Sequence, residues 1–273
     1  MSLSPEQLAA GVVTSSTGNH ALAVVHACEA AGEQVAGRLV PLTIYLPTTA
    51  SPTKVAKLRE AGAEIVFHGQ DAVETEREAR RAAEQRGAVY VSPYNDWRVA
   101  GGQGTLAVEL LMQLPAGKLD AVFVPVGGGG LMAGVAAVLK AASPDIRVIG
   151  CQPEVSDVMR RSVQEGGIVD LMWQETLSEA TAGGIEEGSV TLEPCTEHVD
   201  EWVTVGEKEI ARAMIDMYTH HGYMLEGAAG VAVAAFLRKA KEMQGRHCVV
   251  VCSGGNVSKD TMDRAYRVAG LAQ

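Results

Sequence analysis

The sequence predicts an α/β protein built as two three-layer domains, each with a mostly parallel sheet between helices. Three observations carry this. Short Val/Ile-rich runs alternate with longer helical patterns along the whole chain. The short runs are apolar on both faces, as strands are when helices cover each side of a sheet. Aromatic residues make up only 4% of the chain against 30 glycines, so the core must come from Ala, Val, Leu, Ile and Met, which suits close helix-on-sheet packing.

The patterns place strands over residues 12–15, 42–46, 64–68, 89–92, 121–126, 147–151, 202–205 and 248–252. Helical periodicity falls over 19–31, 52–61, 71–85, 104–113, 131–142, 156–165, 207–220, 227–243 and 257–268. Gly62 closes one helix at its C′ position and Pro52 opens another near N1. Residues 96–104 (DWRVAGGQG) read as a glycine-containing connector. They divide a small domain, 1–95, from a large one, 96–273.

Bulk properties exclude some functions. A net charge of −10 argues against nucleic acid as partner, because phosphate contacts need clustered Lys and Arg. No apolar run approaches the ~20 residues of a membrane span, and no signal peptide is recognisable. The cysteines Cys28, Cys151, Cys195, Cys248 and Cys252 form no CxxC pair and are odd in number. They read as buried reduced thiols, in keeping with a cytoplasmic protein.

In a parallel sheet, ligands bind where strands give way to helices. Four such turns can carry chemistry. Ser15-Ser16-Thr17-Gly18-Asn19-His20 opens a helix with hydroxyls and an amide, which suits an anion or a plain N-cap. Gly127-Gly128-Gly129-Gly130 follows the run AVFVPV. Successive glycines let backbone N–H groups converge on a phosphate with no side chain in the way, and the next helix adds its dipole. This is no P-loop, since no Gly-Lys-Ser/Thr follows, and the G-x-G-x-x-G register of a dinucleotide site fails. Ser253 in CSGGN sits where a strand ends, placed to present a hydroxyl to a ligand or to cap a helix. Glu226 opens a small-residue helix, where an acid is favourable in any case.

STGNHA, PVGGGG, LEGAAGVAVAA and CSGGN, in this order, resemble the pyridoxal-phosphate (PLP) enzymes of fold type II, the tryptophan synthase β-like fold. The nearest subgroup is the serine/threonine dehydratases with serine racemase, whose asparagine loop reads S-x-G-N-H. The resemblance covers nearly all of residues 10–270. It implies that Gly127, Gly128, Gly129 and Gly130 cradle the PLP phosphate, that Asn19 bonds the ring's phenolic oxygen, and that Ser253 faces the pyridine nitrogen. It implies further that Ser16, Thr17, Gly18 and His20 bind the substrate carboxylate or shape its loop, and that Gly183 and Gly184 lie near the ring face. Glu226 matches a family glutamate near the cofactor. The implied activity is α,β-elimination of ammonia from L-serine or L-threonine, in a homo-oligomer, most simply a dimer.

Three positions depart from the family pattern. The family's Schiff-base lysine precedes the asparagine loop, whereas the first lysine here is Lys54, inside a helical pattern. The chain is therefore read as N-terminally truncated and inactive for elimination on its own. It is alternatively a non-catalytic PLP- or amino-acid-binding fragment, or one whose lysine comes from a partner chain. The missing segment is expected to leave a sheet edge exposed. Thr17 stands where racemases carry a proton-handling serine and dehydratases an alanine; its hydroxyl can donate a proton, so lyase and racemase both stay open. The Glu and Asp of the family's divalent-cation site are matched by Gln152 and Val158, so no metal is expected.

Overall fold

The protein is described from a computed structural model covering residues 3–34, 39–50, 52–115, 117–172 and 174–271. The chain divides into two compact units, Met1–Asp96 and Trp97–Gln273.

The first unit begins with a helix absent from the sequence expectations, α1 (Pro5–Ala10), started by a capping box between Ser4 and Gln7. There follow β1 (Val12–Ser15), α2 (Asn19–Gln34), β2 (Leu42–Leu46), α3 (Pro52–Glu60), β3 (Glu64–Phe67), α4 (Ala72–Arg86) and β4 (Val89–Tyr90). The four strands are parallel, in the order β3-β2-β1-β4. Alternation along each strand sorts the core into two layers. Val13 and Tyr45 pack on Ala79, Ala82 and Ala83 of α4. Ile44 and Leu46 point the other way, onto Ala21 and Val25 of α2 and Val55 and Leu58 of α3.

The second unit comprises α5 (Trp97–Gln113), β5 (Ala121–Pro125), α6 (Gly130–Ala142), β6 (Arg147–Pro153), α7 (Val158–Glu165), a 3₁₀ turn (Glu179–Thr181), α8 (Leu192–His198), β7 (Glu201–Val205), α9 (Glu207–His221), α10 (Gly227–Lys239), β8 (Cys248–Val250) and α11 (Lys259–Ala269). Its parallel sheet runs β7-β6-β5-β8. Central β5 is buried throughout, while all three residues of edge strand β8 are half-buried. On one face Phe123, Ile149 and Val205 meet Met214 of α9, Val231 and Ala235 of α10 and Ala265 of α11. Phe123 also meets Phe236 edge-on, with centroids 5.5 Å apart. On the other face α6 packs against β5 and β6, and α5 crosses α6.

That crossing corrects the expectation of a glycine connector at 96–104. The stretch is helical from Trp97 onward. A Cβ on Gly134 of α6 would lie 2.0 Å from the Ala100 carbonyl oxygen and 2.7 Å from the Gly104 nitrogen. A Cβ on Gly104 would lie 3.0 Å from the Gly134 oxygen. These glycines are the surface on which two helix backbones touch, and that packing outweighs the ~1 kcal/mol each costs a helix. Elsewhere the expected boundaries shift by a few residues: β6 continues to Pro153, and α10 stops at Lys239.

Candidate functional site

The two expected binding turns of the second unit leave adjacent strands. β5 and β8 pair in parallel with Phe123 opposite Val250, and the Val251 N–H donates to the Phe123 carbonyl at 2.9 Å. The 127–130 turn and Ser253 therefore emerge side by side from the same end of the sheet.

At the 127–130 turn, Gly129 is the N-cap of α6 with φ 87° and ψ −5°, a left-handed conformation that glycine adopts without penalty. A Cβ on Gly129 would meet Met159 Cε at 2.7 Å and Thr191 Cβ at 2.9 Å; one on Gly127 would meet Thr181 Cα at 3.0 Å. A side chain at either position would force its neighbours to shift. The backbone carbonyls on the protein side are occupied. Gln152 Nε2 donates to the Val126 carbonyl at 3.1 Å, Thr191 Oγ1 donates to that of Gly128 at 2.6 Å, and Ala133 N–H donates to that of Gly129 at 2.8 Å. The N–H groups of Gly127, Gly128, Gly129 and Gly130, by contrast, donate to no acceptor among the described residues. Gly129 and Gly130 are buried. Unpaired N–H groups clustered at a buried helix start favour an anion, through both hydrogen bonds and the dipole. A phosphate group fits what these residues offer.

Ser253 is half-buried, and its loop is held by Glu226. Glu226 N–H donates to the Gly254 carbonyl at 3.2 Å, while its Oε1 accepts the Asn256 N–H at 2.7 Å. Gly254 has φ 89°, and a Cβ there would lie 2.8 Å from the Glu226 carboxylate. Glu226 thus straps the loop that presents Ser253, a role that its reading as a first-turn acid does not contain. Gly183, at φ 121°, and Gly184 follow the 3₁₀ turn whose Thr181 backs Gly127; both are half-buried. The second unit thereby gathers the glycine turn, Ser253 and Glu226, with residues 181–184 beside them.

In the first unit, Ser16, Thr17, Gly18, Asn19 and His20 lie at the carboxyl end of central strand β1, leading into α2. Ser16 Oγ accepts the Gly18 N–H at 3.1 Å. Asn19 is exposed at the first residue of α2, and the rest of the motif is half-buried. His20 Nε2 lies 3.0 Å from Thr14 Oγ1 and 3.3 Å from the Val91 carbonyl. Thr14 gives its own proton to Val91 at 2.7 Å. Both neighbours of Nε2 therefore accept, which puts the ring proton on Nε2. Burial lowers the His20 pKa against the opposing Val91 hydrogen bond, favouring the neutral ring. Its side chain is bound to the loop's framework.

Sequence reading missed the residues that hold these turns: Thr14, Gln152, Thr181 and Thr191. Their signal is faint, a polar residue in an apolar strand or a threonine in a loop. Gln152 and Val158, the positions matched to a cation site, are buried, and the Gln152 amide is taken up by backbone partners. Lys54 and Lys57 lie on α3. The expectation of buried thiols holds for Cys28, Cys151 and Cys195, whereas Cys248 is half-buried and Cys252 exposed. These two differ because one lies on edge strand β8 and the other in the Ser253 loop. Among the described residues, no helix is long and apolar enough to cross a membrane.

The chain is similar to known proteins along most of its length. The chain is 37% identical over 262 residues to an L-threonine ammonia-lyase of Thermotoga maritima, covering 96% of this chain and 63% of that protein. A second L-threonine ammonia-lyase, from Geobacter sulfurreducens, is 37% identical, with 61% of its length covered. The chain thus spans less than two thirds of the length of these relatives. Among solved structures, the processed form of threonine deaminase isoform 2 from Solanum lycopersicum superposes with a TM-score of 0.86 at 33% identity, over 99% of this chain and 76% of that one. Maize serine racemase gives 0.84 at 30% identity, over 97% and 79%. The fold is that of the fold-type-II PLP enzymes. The family described as "Pyridoxal-phosphate dependent enzyme" matches residues 1–254, and the chain belongs to it.

Proposed function

We propose that this chain is the cofactor- and substrate-binding part of a PLP-dependent serine/threonine ammonia-lyase. The reaction eliminates water across Cα–Cβ and then takes water back as the resulting imine is hydrolysed, so that only ammonia is lost in net terms: L-threonine gives 2-oxobutanoate and ammonia, and L-serine gives pyruvate and ammonia. The observation that carries the reading is the cluster of unpartnered N–H groups on Gly127, Gly128, Gly129 and Gly130 at the start of α6. The relatives named as threonine ammonia-lyases supply the reaction class.

When bound, PLP draws electrons from Cα so that the Cα–H bond can break. The protein's own residues do the rest of what is proposed. The 127–130 turn holds the phosphate. Ser253 presents a hydroxyl to the pyridine nitrogen, which leaves that nitrogen without a full charge, and Glu226 keeps the Ser253 loop in place. Gly183 and Gly184 bound the ring face. On the match of the S-x-G-N-H motif, Asn19 takes the phenolic oxygen, and Ser16, Thr17, Gly18 and His20 take the substrate carboxylate. Residues 1–95 and 96–273 are proposed as the small and large domains of the family. The proposal includes a homodimer in the cytoplasm with neither nucleic acid nor membrane as partner; the net charge of −10 supports the first exclusion.

A lysine is needed to hold PLP covalently and to take the Cα proton. The sequence has none before Lys54. The chain is accordingly expected to bind PLP reversibly and saturably, without a borohydride-stable adduct. Extended by a relative's Ser-x-Lys-containing N-terminal segment, it is expected to release keto acid from threonine or serine. Absence of saturable PLP binding overturns the cofactor reading, and absence of keto acid from the extended, PLP-loaded chain overturns the lyase assignment. The hydroxyl of Thr17 and the similarity to maize serine racemase favour racemisation as the second reading, which appearance of D-serine in the same assay would establish.

A further inference from the structure

An anion cup needs more than glycines. Glycine removes side chains from the path, but its backbone is the freest of any residue, so something else must aim the N–H groups. In a planar trans peptide, the carbonyl of one residue and the N–H of the next point in opposite directions. Among the described residues there are no cis peptide bonds. Anchoring a carbonyl on the protein side therefore points the following N–H away from the protein, toward the ligand.

Three of the turn's peptides are anchored in this way. Gln152 holds the Val126 carbonyl at 3.1 Å, which aims the Gly127 N–H. Thr191 holds the Gly128 carbonyl at 2.6 Å, which aims that of Gly129. The Gly129 carbonyl accepts from Ala133 at 2.8 Å, so the Gly130 N–H points out of the helix start. The third anchor is helix geometry, and the second is a hydroxyl backed by Ser189 at 2.8 Å. The first is of another kind. Gln152 is only 1% exposed, at the end of a buried strand, and its amide works in two directions. While Nε2 donates to Val126, Oε1 accepts the Arg160 N–H at 2.9 Å. Arg160 is the third residue of α7, whose N-cap Asp157 makes no side-chain cap bond. The Asp157 carboxylate is taken up by Arg160 and by Arg161 Nε at 2.7 Å.

We propose that Gln152 is a positioning residue of the anion-binding turn, holding the Val126 carbonyl so that the Gly127 N–H is aimed at the ligand's phosphate, while its oxygen caps α7. This rests on the reading of the 127–130 turn as the phosphate site. A neutral side-chain amide of this length supplies one donor and one acceptor in opposite directions. A carboxylate supplies no donor for Val126, and an apolar side chain satisfies neither partner.

The test measures the affinity of the chain for PLP by absorbance titration, with inorganic phosphate as competitor and thermal unfolding of the ligand-free protein alongside. Gln152→Glu keeps the acceptor for Arg160 and turns an oxygen on the Val126 carbonyl. It is expected to weaken PLP binding about tenfold, the scale of one lost hydrogen bond to a buried carbonyl. The loss should shrink relative to wild type as the pH is lowered, because the protonated carboxyl again donates to Val126. Gln152→Met, of similar length and uncharged, is expected to weaken binding at all pH values without that recovery. Asp157→Asn is the control: it loosens the Arg160 and Arg161 pairs and lowers the unfolding temperature, but leaves PLP affinity unchanged. Wild-type affinity in Gln152→Glu or Gln152→Met overturns the proposal, as does an equal loss in Asp157→Asn. Should the wild-type chain itself bind neither PLP nor phosphate, the phosphate-site reading falls, and this proposal with it.

Discussion

Replacing Gly129 by alanine tests the geometry of the glycine turn most directly. At φ 87° the residue sits where an L side chain pays roughly 1–2 kcal/mol relative to glycine. The new Cβ would also lie 2.7 Å from Met159 Cε and 2.9 Å from Thr191 Cβ. Methionine ends are flexible and can swing aside, whereas Thr191 is β-branched and stiff. Displacing it breaks its 2.6 Å bond to the Gly128 carbonyl, worth about 1 kcal/mol. Together these come to about 3 kcal/mol, or roughly a hundredfold in the equilibrium that bears the cost. Gly166→Ala isolates the backbone share: at φ 71° it closes α7 with nothing within 4 Å of its Cβ. Thermal unfolding and PLP titration of both variants make the comparison. Gly166→Ala should lose about 1 kcal/mol of stability and no PLP affinity. Gly129→Ala should lose more stability and bind PLP at least tenfold more weakly. Wild-type PLP affinity in Gly129→Ala, with no more destabilisation than in Gly166→Ala, refutes the view that the turn is a shaped cradle.

Two further outcomes follow from buried titratable groups. The pKa of His20 is lowered on folding, mainly by burial, so below the ordinary histidine value of ~6.5 the unfolded chain binds more protons than the folded one. The stability contributed by neutral His20 is complete above that value and drains away as the pH falls through it toward the lower folded pKa. Unfolding temperatures of wild type and His20→Gln between pH 8 and 5 should diverge accordingly, and parallel curves would contradict this. For the thiols, burial pushes Cys28 up to about 11 and Cys195 up to about 12, and raises Cys151 further still. An aromatic disulfide reagent at pH 8 should modify Cys252 first and Cys248 more slowly, reaching the other three only on unfolding. Rapid labelling of Cys28, Cys151 or Cys195, read by peptide mass, would show the packing to be wrong.

Strand positions and the glycine turn were legible in the sequence because both are local. Val/Ile runs report burial on two faces, and consecutive glycines report a backbone approach whatever surrounds them. Residues 96–104 misled for the opposite reason. Glycine breaks a helix by its own propensity, yet Gly104 touches Gly134 across the α5–α6 crossing, and a contact thirty residues away decides the matter. The short helices α1 and α8 carry too little periodicity to be seen, although the capping box of Ser4 and Gln7 was a readable sign of the first. At the candidate site, the groups proposed to face a ligand could be named from motifs. The groups that hold them could not: Gln152 reaches its carbonyl across 26 residues, Thr191 across 63, and Thr14 reaches Val91 across 77.

This difference divides the site's residues by how they should respond to substitution. Glycines of the turn act through what they lack, so nearly any side chain at Gly129 or Gly127 meets the same obstruction from Met159, Thr191 or Thr181. Gln152, Thr191 and Glu226 act through the direction of a hydrogen bond, so the outcome depends on donor and acceptor type more than on size. Glu226 shows the contrast within one residue. Its N–H anchors the Gly254 carbonyl whatever side chain stands there, but the Asn256 N–H needs the side-chain acceptor. Glutamine at 226 preserves both bonds; alanine keeps the first and frees the half of the loop that follows Gly254. The part of the loop that carries Ser253 is therefore held mainly by backbone, and the part leading toward α11 mainly by the glutamate. The backbone course beside Ser253 is thus set by the meeting of the α10 N-cap with the loop after β8 more firmly than by the Glu226 side chain.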